Sequence, residues 1–267
     1  MKLLTINVHA WQEENQLAKI KQLANVIHKN RYDAVALQEA SQHVDAEIVY
    51  DSIREDNYAY LLNKELAKLG SVDYDIYWDI SHYGFDVYEE GLALLVRHPL
   101  VKYESFYITD STSIDHWKSR KIVGGTWQIN DQPLSLYSCH LGWWDDEDES
   151  YKSQIDRLID RAASGDRFLL LGDFNVADYI KGEGHDYILN KGLYDTHALA
   201  IEKTGDITIE GDIAGWDGNK QGLKIDYIFA NWQANVKRSE IIFNGKNEPI
   251  ISDHFGIEIE LDVLKEE

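Results

Sequence analysis

Six residues that can offer hard oxygen ligands sit where apolar runs begin or end: Asn7, Glu39, Asp173, Asn175, Asp226 and Asp253. Such donors suit Mg²⁺, Mn²⁺ or Ca²⁺, and no Cys/His cluster with zinc spacing competes with them. Magnesium takes one or two protein carboxylates and leaves water and phosphate oxygens in its shell. One such residue alone reads as a turn former, since Asp and Asn favour turns. The whole set, each member at a strand end, reads as a site. Two histidines join it. His254 follows Asp253 directly, and Asp226 is a candidate to orient its ring; Glu90 is a candidate partner for His140. A histidine of near-neutral pKa acts as general acid or base, and a carboxylate partner fixes its tautomer and favours the imidazolium. His140 taken alone reads equally as a hydrogen-bonded core residue. His43, His82, His98 and His185 read as surface or loop positions. Cys139 adjoins His140, but strand alternation turns neighbours to opposite faces, so it reads as a buried apolar residue and not as a nucleophile.

These residues need a rigid frame, and the hydrophobic pattern supplies one. Residues 3–8, 34–37, 92–96, 168–171, 225–230 and 256–261 read as strands. Residues 126–129 and 134–141 read as a hairpin pair joined by Asn130-Asp131. Residues 15–30 place Leu17, Ile20, Leu23, Ala24 and Ile27 on one helical face. Residues 57–69 stack Leu62, Leu66 and Leu69, with Gly70 as C-terminal cap. Residues 150–163 turn Ile155, Leu158, Ile159 and Ala162 inward, with Gly165 beyond the end. Strands outnumber helices and hairpins occur, which predicts a mixed sheet protein with helices outside.

The chain has 267 residues, 44% of them hydrophobic, with only 3 Pro and no linker-like tract, so one domain over 1–267 is expected. The formal charge of −21 argues against nonspecific nucleic-acid binding and against docking on anionic lipid. A single Cys fits a reducing compartment. No signal-peptide pattern opens the chain and no apolar run is long enough to span a membrane, so a cytoplasmic protein is expected.

The segments TINVHAW, ALQEA, EEGLALLVR, SCHLG, LLLGDFN, KIDYIFAN and SDHFG, in that order, resemble the endonuclease/exonuclease/phosphatase superfamily. That group includes pancreatic-type deoxyribonucleases, apurinic-site endonucleases, neutral sphingomyelinases and inositol polyphosphate 5-phosphatases. The resemblance implies an α/β fold: a four-layer α-β-β-α sandwich with two mixed sheets. It implies a divalent metal, usually Mg²⁺ with Mn²⁺ as the substitute, held by Glu39 with Asn7 and Asp253. It assigns Asp173 and Asn175 to the phosphate and attacking water, His254 to that water with Asp226 orienting it, and His140, partnered by Glu90, to the leaving group. Phosphoester hydrolysis by water builds charge on phosphoryl and leaving oxygens, which a metal and fixed donors stabilise. Arg120 is either a further cation on the phosphate, alongside Lys118, or part of a solvated charge run at 118–121.

The substrate is less marked. Glu39 is followed by Ala40-Ser41-Gln42, without a basic residue, and the acidic run after Trp143-Trp144 would be repelled by anionic headgroups. Trp faces stack well on sugar rings. Trp11, Trp143 and Trp144 fall in loops beside motif positions, and Trp117 lies near Arg120, whereas Trp78, Trp127 and Trp232 read as core. Asp145 and Asp146 are candidates for sugar hydroxyls. The opening NVHAW, the WWDDEDES segment and the compact length look most like the maltose 6'-phosphate phosphatases, which implies a cytoplasmic phosphomonoesterase for a phosphorylated sugar. A phosphodiesterase, nuclease or sphingomyelinase-like, is the alternative reading, and an inactive binding module a third. The sequence leaves the oligomeric state open.

Overall fold

The computed structural model describes residues 1–71, 74–129, 132–163, 167–216 and 218–263. The expected turn at Asn130-Asp131 and the expected helix stop at Gly165 lie outside the described residues. Among the described residues the strands form two large mixed sheets. In the first, Lys2–Asn7 pairs in parallel with Ala34–Gln38 and antiparallel with Gly256–Asp262. Tyr88–Val96 flanks Ala34–Gln38 and carries Asp75–Gly84, while Asn235–Ile242 flanks Gly256–Asp262. The second sheet runs Lys102–Tyr107, Lys121–Ile129, Gln132–His140, Arg167–Asp173, Asp226–Ala230, Tyr194–Asp195.

Successive strand residues face opposite sides, so each strand feeds two cores. Leu3, Ala36 and Leu94 of the first sheet meet Val123, Leu136, Leu171 and Ile228 of the second in a core between the sheets. The other face of the first sheet, through Leu4, Ile6, Val35 and Leu37, is covered by the helices Gln16–Asn30 and Tyr58–Lys68. The other face of the second, through Tyr137, Cys139, Leu170 and Phe229, is covered by Tyr151–Ala162. The layers are helix, sheet, sheet, helix, as the resemblance implies.

Local chemistry sets the helix ends. The Asn57 side chain accepts from the Tyr60 N–H at 3.1 Å and opens the second helix. Its far end closes with Ser71 N–H on the Leu66 carbonyl and Gly70 N–H on Ala67, both at 3.0 Å. Gly70 sits at φ +83°, which suits glycine. Leu17 departs from expectation: it is 59% exposed. At that turn Gln16 is the buried residue, its Oε1 accepting the Glu13 N–H at 3.2 Å, and Leu17 is rotated outward.

One gradient prepares the site. Along the positions that face the other sheet, apolar side chains give way to polar ones toward one end: Leu3, Thr5, Asn7; Ala34, Ala36, Gln38; Leu136, Ser138, His140; Leu171, Asp173. The antiparallel strand Asp226–Ala230 does the same in reverse, from Ala230 and Ile228 to Asp226. Strand register sets Asn7 opposite Gln38, His140 opposite Asp173, and Asp173 opposite Asp226. Gln38 ties the sheets there, donating from Nε2 to Ser138 Oγ at 2.9 Å.

Candidate active site

Asp173, Asp226 and His254 form the buried floor of this polar end. The Nδ1–H of His254 donates to both Asp226 oxygens, at 3.0 and 3.2 Å. That bond directs its Nε2 to Asp173 Oδ2, 3.8 Å away. Burial alone would lower the His254 pKa, but the Asp226 and Asp173 carboxylates outweigh it and raise it to about 10. Asp173 Oδ1 accepts the Asn175 N–H at 2.9 Å, and Asn175 Nδ2 donates to the Leu141 carbonyl at 2.9 Å. Burial, with Asp226 adding to it, pushes Asp173 up to about 7, although His254 opposes this.

Glu39 stands across from this floor. Asn7 Nδ2 donates to Glu39 Oε1 at 2.8 Å and to Asp173 Oδ2 at 3.2 Å, so one amide holds both carboxylates. Burial and the neighbouring Glu90 push Glu39 up to about 7. Asn7 Oδ1 accepts the His9 N–H at 3.1 Å. In this orientation the Asn7 amide nitrogen holds Glu39 and Asp173, and its oxygen, bonded to the His9 N–H, keeps a second lone pair. His9, Glu39 and Asn175 all adopt left-handed backbone, at φ 44°, 51° and 51°. Strain of this kind in non-glycine residues concentrates at functional sites.

The His140–Glu90 pair expected from sequence does not form. His140 Nε2 faces Asp173 Oδ2 at 3.7 Å and Glu39 Oε1 at 4.0 Å. Glu90 lies instead 3.4 Å from Nε2 of His82. Without that carboxylate, burial pushes His140 well below its ordinary range, and Arg120, His82 and His254 add to this, so the ring is neutral rather than an imidazolium. His82 is not a surface residue: the strand Asp75–Gly84 turns it inward, and burial takes it down to about 3. His185 is likewise buried, not exposed.

These groups line a cavity of about 320 Å³ that also takes in His9, Arg120, Trp117, Trp143 and Asp253. Arg120 is only 3% exposed, which decides between its two readings: it is part of the cavity and not of a solvated charge run. Its guanidinium lies 5.7 Å from the Trp143 ring centre, its Nη1 donates to the Trp117 carbonyl at 3.3 Å, and its buried Nε has no partner. An unpaired guanidinium donor at a cavity wall suits an oxyanion. Asp253 Oδ1 lies 3.5 Å from His9 Nδ1, which also meets Glu13 Oε1 at 3.0 Å.

Three expected substrate residues lie elsewhere. Lys118 is held by Asp146 at 3.0 Å and Asp148 at 2.6 Å, and neither Lys118 nor Asp146 lines the cavity. Trp11 packs on the first helical layer, edge-on to Tyr58 at 6.4 Å. Trp144 packs against Tyr151 and lines a neighbouring cavity. The sequence reading gave His9 no role and put His82 at the surface. His9 carried a signal, two residues after Asn7 in the same strand-end run. His82 carried none until its strand was known.

A divalent cation fits this donor set. Glu39 and Asp173 share the Asn7 amide, are both held near 7 by burial, and form no ion pair with Lys or Arg among the described residues. Buried carboxylates without a cation are costly, and hard oxygen donors suit one.

Residues 10–254 match the Endonuclease/Exonuclease/phosphatase family, and the chain belongs to it. Members of that family are phosphoester hydrolases that use divalent metals, and this chain is a hydrolase of that class. An endonuclease/exonuclease/phosphatase family protein from Leptotrichia buccalis C-1013-b is 40% identical, with TM-score 0.92 over 98% of this chain and 99% of that one. A mannosyl-6-phosphatase from Bacteroides thetaiotaomicron VPI-5482 shares the fold at 16% identity and TM-score 0.69, covering 98% and 99%. TDP2 of D. rerio, complexed with single strand DNA product, shares it at 15% identity and TM-score 0.65, again covering 98% and 99%. No curated protein matches the sequence. Among the described residues no helix is long and apolar enough to cross a membrane.

Proposed function

We propose that the protein is a divalent-metal-dependent phosphomonoesterase that removes phosphate from a phosphorylated sugar by in-line attack of water. One observation carries this reading: a single cavity combines Asp173 and His254, the latter braced from behind by Asp226, with a buried Arg120 and the aromatic faces of Trp117 and Trp143. The floor and Arg120 suit a phosphoryl group; the indoles suit a sugar ring. A volume of about 320 Å³ lies at the small-molecule end of ligand sites. The relatives include a mannosyl-6-phosphatase, which is compatible with the reading.

Glu39, with Asp173 beside it and Asp253 lining the same cavity, would hold the cation, preferably Mg²⁺, with Asn7 fixing Glu39. When bound, such an ion supplies positive charge to the phosphoryl oxygens and relieves the carboxylate field that keeps His254 protonated. His254, braced by Asp226, takes the proton of the attacking water at Nε2. Asp173 and Asn175 orient that water and the phosphoryl group. The neutral ring of His140 would donate a hydrogen bond from Nε2 to the leaving oxygen, which takes its proton from solvent. Arg120 binds a phosphoryl oxygen. We further propose one domain over the whole chain and a cytoplasmic location.

Phosphate release from a panel of phosphomonoesters, including maltose 6'-phosphate, with Mg²⁺ and with chelator, tests the reading. Mg²⁺-dependent release from a sugar phosphate is expected. Release from none of them, or a preference for nicking plasmid DNA, overturns it.

A further inference from the structure

The hairpin of Asp75–Gly84 and Tyr88–Val96 turns beside the site cavity, and Phe85, at its tip, is part of the cavity lining. The Val87 N–H donates to the Gly84 carbonyl at 3.3 Å, so Phe85 and Asp86 are the two central residues of the turn. Both are left-handed, at φ 51° and 60°. A turn of this hand matches the twist of its strands, and Asn-Gly or Asp-Gly is the usual filling. Phenylalanine suits it poorly, because a Cβ in left-handed backbone crowds the following carbonyl oxygen and a bulky side chain adds to the conflict.

Packing does not explain the choice either. Phe85 is 70% exposed, so it contributes little to any core. A single exposed apolar side chain is ordinary. One that is exposed and also strains its own backbone is unfavourable on both counts, and such positions concentrate at functional sites.

The surroundings of Phe85 show what it could serve. It shares the cavity lining with Trp117, itself 53% exposed, and with Trp143, whose ring centre lies 6.1 Å from that of Trp117. The ionisable groups of the site stand at strand ends, whereas these three rings stand on the turn and loops beside them. The hairpin is fastened to the loop that carries Trp117. The Tyr83 N–H donates to the Ile114 carbonyl at 2.7 Å, and Ser81 Oγ and His82 Nδ1–H both donate to the Ser119 carbonyl, at 3.0 and 3.1 Å. The base of the turn is thus fixed relative to Trp117. Flat aromatic faces beside a charged floor suit an ester whose phosphoryl group goes down to the floor and whose leaving group carries a flat, partly apolar face.

We infer that Phe85 is a specificity residue: with Trp117 it contacts the leaving group and favours one built on a ring over an open chain, and the strained turn exists to present it there. This rests on the phosphomonoesterase reading above.

The test compares kcat/KM for glucose 6-phosphate and glycerol 3-phosphate with Mg²⁺. Both are esters of a primary alcohol, so the bond broken is alike and the ring is the difference. Phe85→Asn suits the left-handed turn. It is expected to lower the preference for the ring ester about fivefold, chiefly through KM, the worth of one aromatic contact. It should also raise Tm, by about 2 °C, as backbone strain is relieved. Phe85→Tyr keeps the ring and should leave the preference and Tm unchanged. A preference that Phe85→Asn does not move, or a Tm that stays level or falls in that variant, overturns the inference and leaves the phosphomonoesterase reading standing. A second readout needs no turnover. In His254→Ala with Mg²⁺, glucose 6-phosphate should bind, and about fivefold more weakly once Phe85→Asn is added. Equal binding, or none, overturns the role of Phe85. Turnover of neither ester by the wild type instead overturns the proposed function, and the titration then decides the role of Phe85 alone.

Discussion

Asp195 and Asp173 are both buried carboxylates beside a histidine, and both flank the strand Asp226–Ala230, on its opposite edges. The fold treats their charges in opposite ways. Burial would raise Asp195, but His185 at 3.8 Å and the buried Lys224 ammonium at 2.6 Å hold it well below the usual carboxylate range. Its Oδ1 also accepts the His197 N–H at 2.8 Å. Asp173 has no lysine or arginine within reach among the described residues and is pushed up to about 7, as is Glu39 across the cavity. The first cluster is neutralised within the chain and is structural. The second leaves negative charge for a partner from outside, as a site for a cation and a phosphoryl group requires.

The largest expected effect is on turnover. His254→Ala should lower kcat by about 10²–10⁴-fold, as loss of a positioned base does. Phosphate release on the best substrate measures it, and a tenfold loss or less would move the base elsewhere. Lys224→Met should act on stability instead, since unpairing buried Asp195 costs about 3–5 kcal/mol. Asp173→Asn removes an uncompensated carboxylate and should cost far less in urea unfolding. Equal losses in the two variants would erase the contrast. Arg120→Ala should raise KM about tenfold or more, with a smaller change in kcat, as loss of one charge-assisted contact predicts. An unaltered KM would return Arg120 to a packing role.

The smallest effect is in the pH dependence, and its sign separates the clusters. Folded Glu39 and Asp173 lie above their unfolded values of about 4, so their contribution is full below that pH and is lost as pH rises through about 7. Asp195 lies below its unfolded value, so its contribution is full above about 4 and is lost as pH falls further. Below about pH 6.5 the buried, neutral His82 and His140 offset this loss, so under chelator Tm should decline from about pH 6.5 to about pH 8, through the site carboxylates together with His254. A profile in Glu39→Gln as steep as that of the wild type would show that the site carboxylates do not drive the decline.

Much of this was legible in the sequence because strand ends announce themselves by type. Asp173 and Asn175 follow an unbroken apolar run, and Asp226 and His254 sit in equally sharp contexts. The same runs gave mixed sheets with helices outside, and the resemblance supplied the four layers. The pairing of His140 was not legible. Two carboxylates and two histidines allow several partnerships, and strand register, with a bulge between Ile80 and His82, sends Glu90 to His82. The strand Asp75–Gly84 itself mixes Asp79, Ser81 and His82 with aromatics and shows no clean alternation. Lys118 and Arg120, two residues apart, have opposite fates. Only tertiary contact reveals that Asp146 and Asp148 claim the former.

Isothermal titration of the chelator-treated protein with Mg²⁺ near pH 8 tests the central claim most directly. The wild type should bind, because the ion compensates carboxylates the fold leaves bare, and Glu39→Gln should bind at least tenfold more weakly, the scale expected on losing a ligand contact. Equal affinity in the two proteins, or no binding in the wild type, would contradict the account.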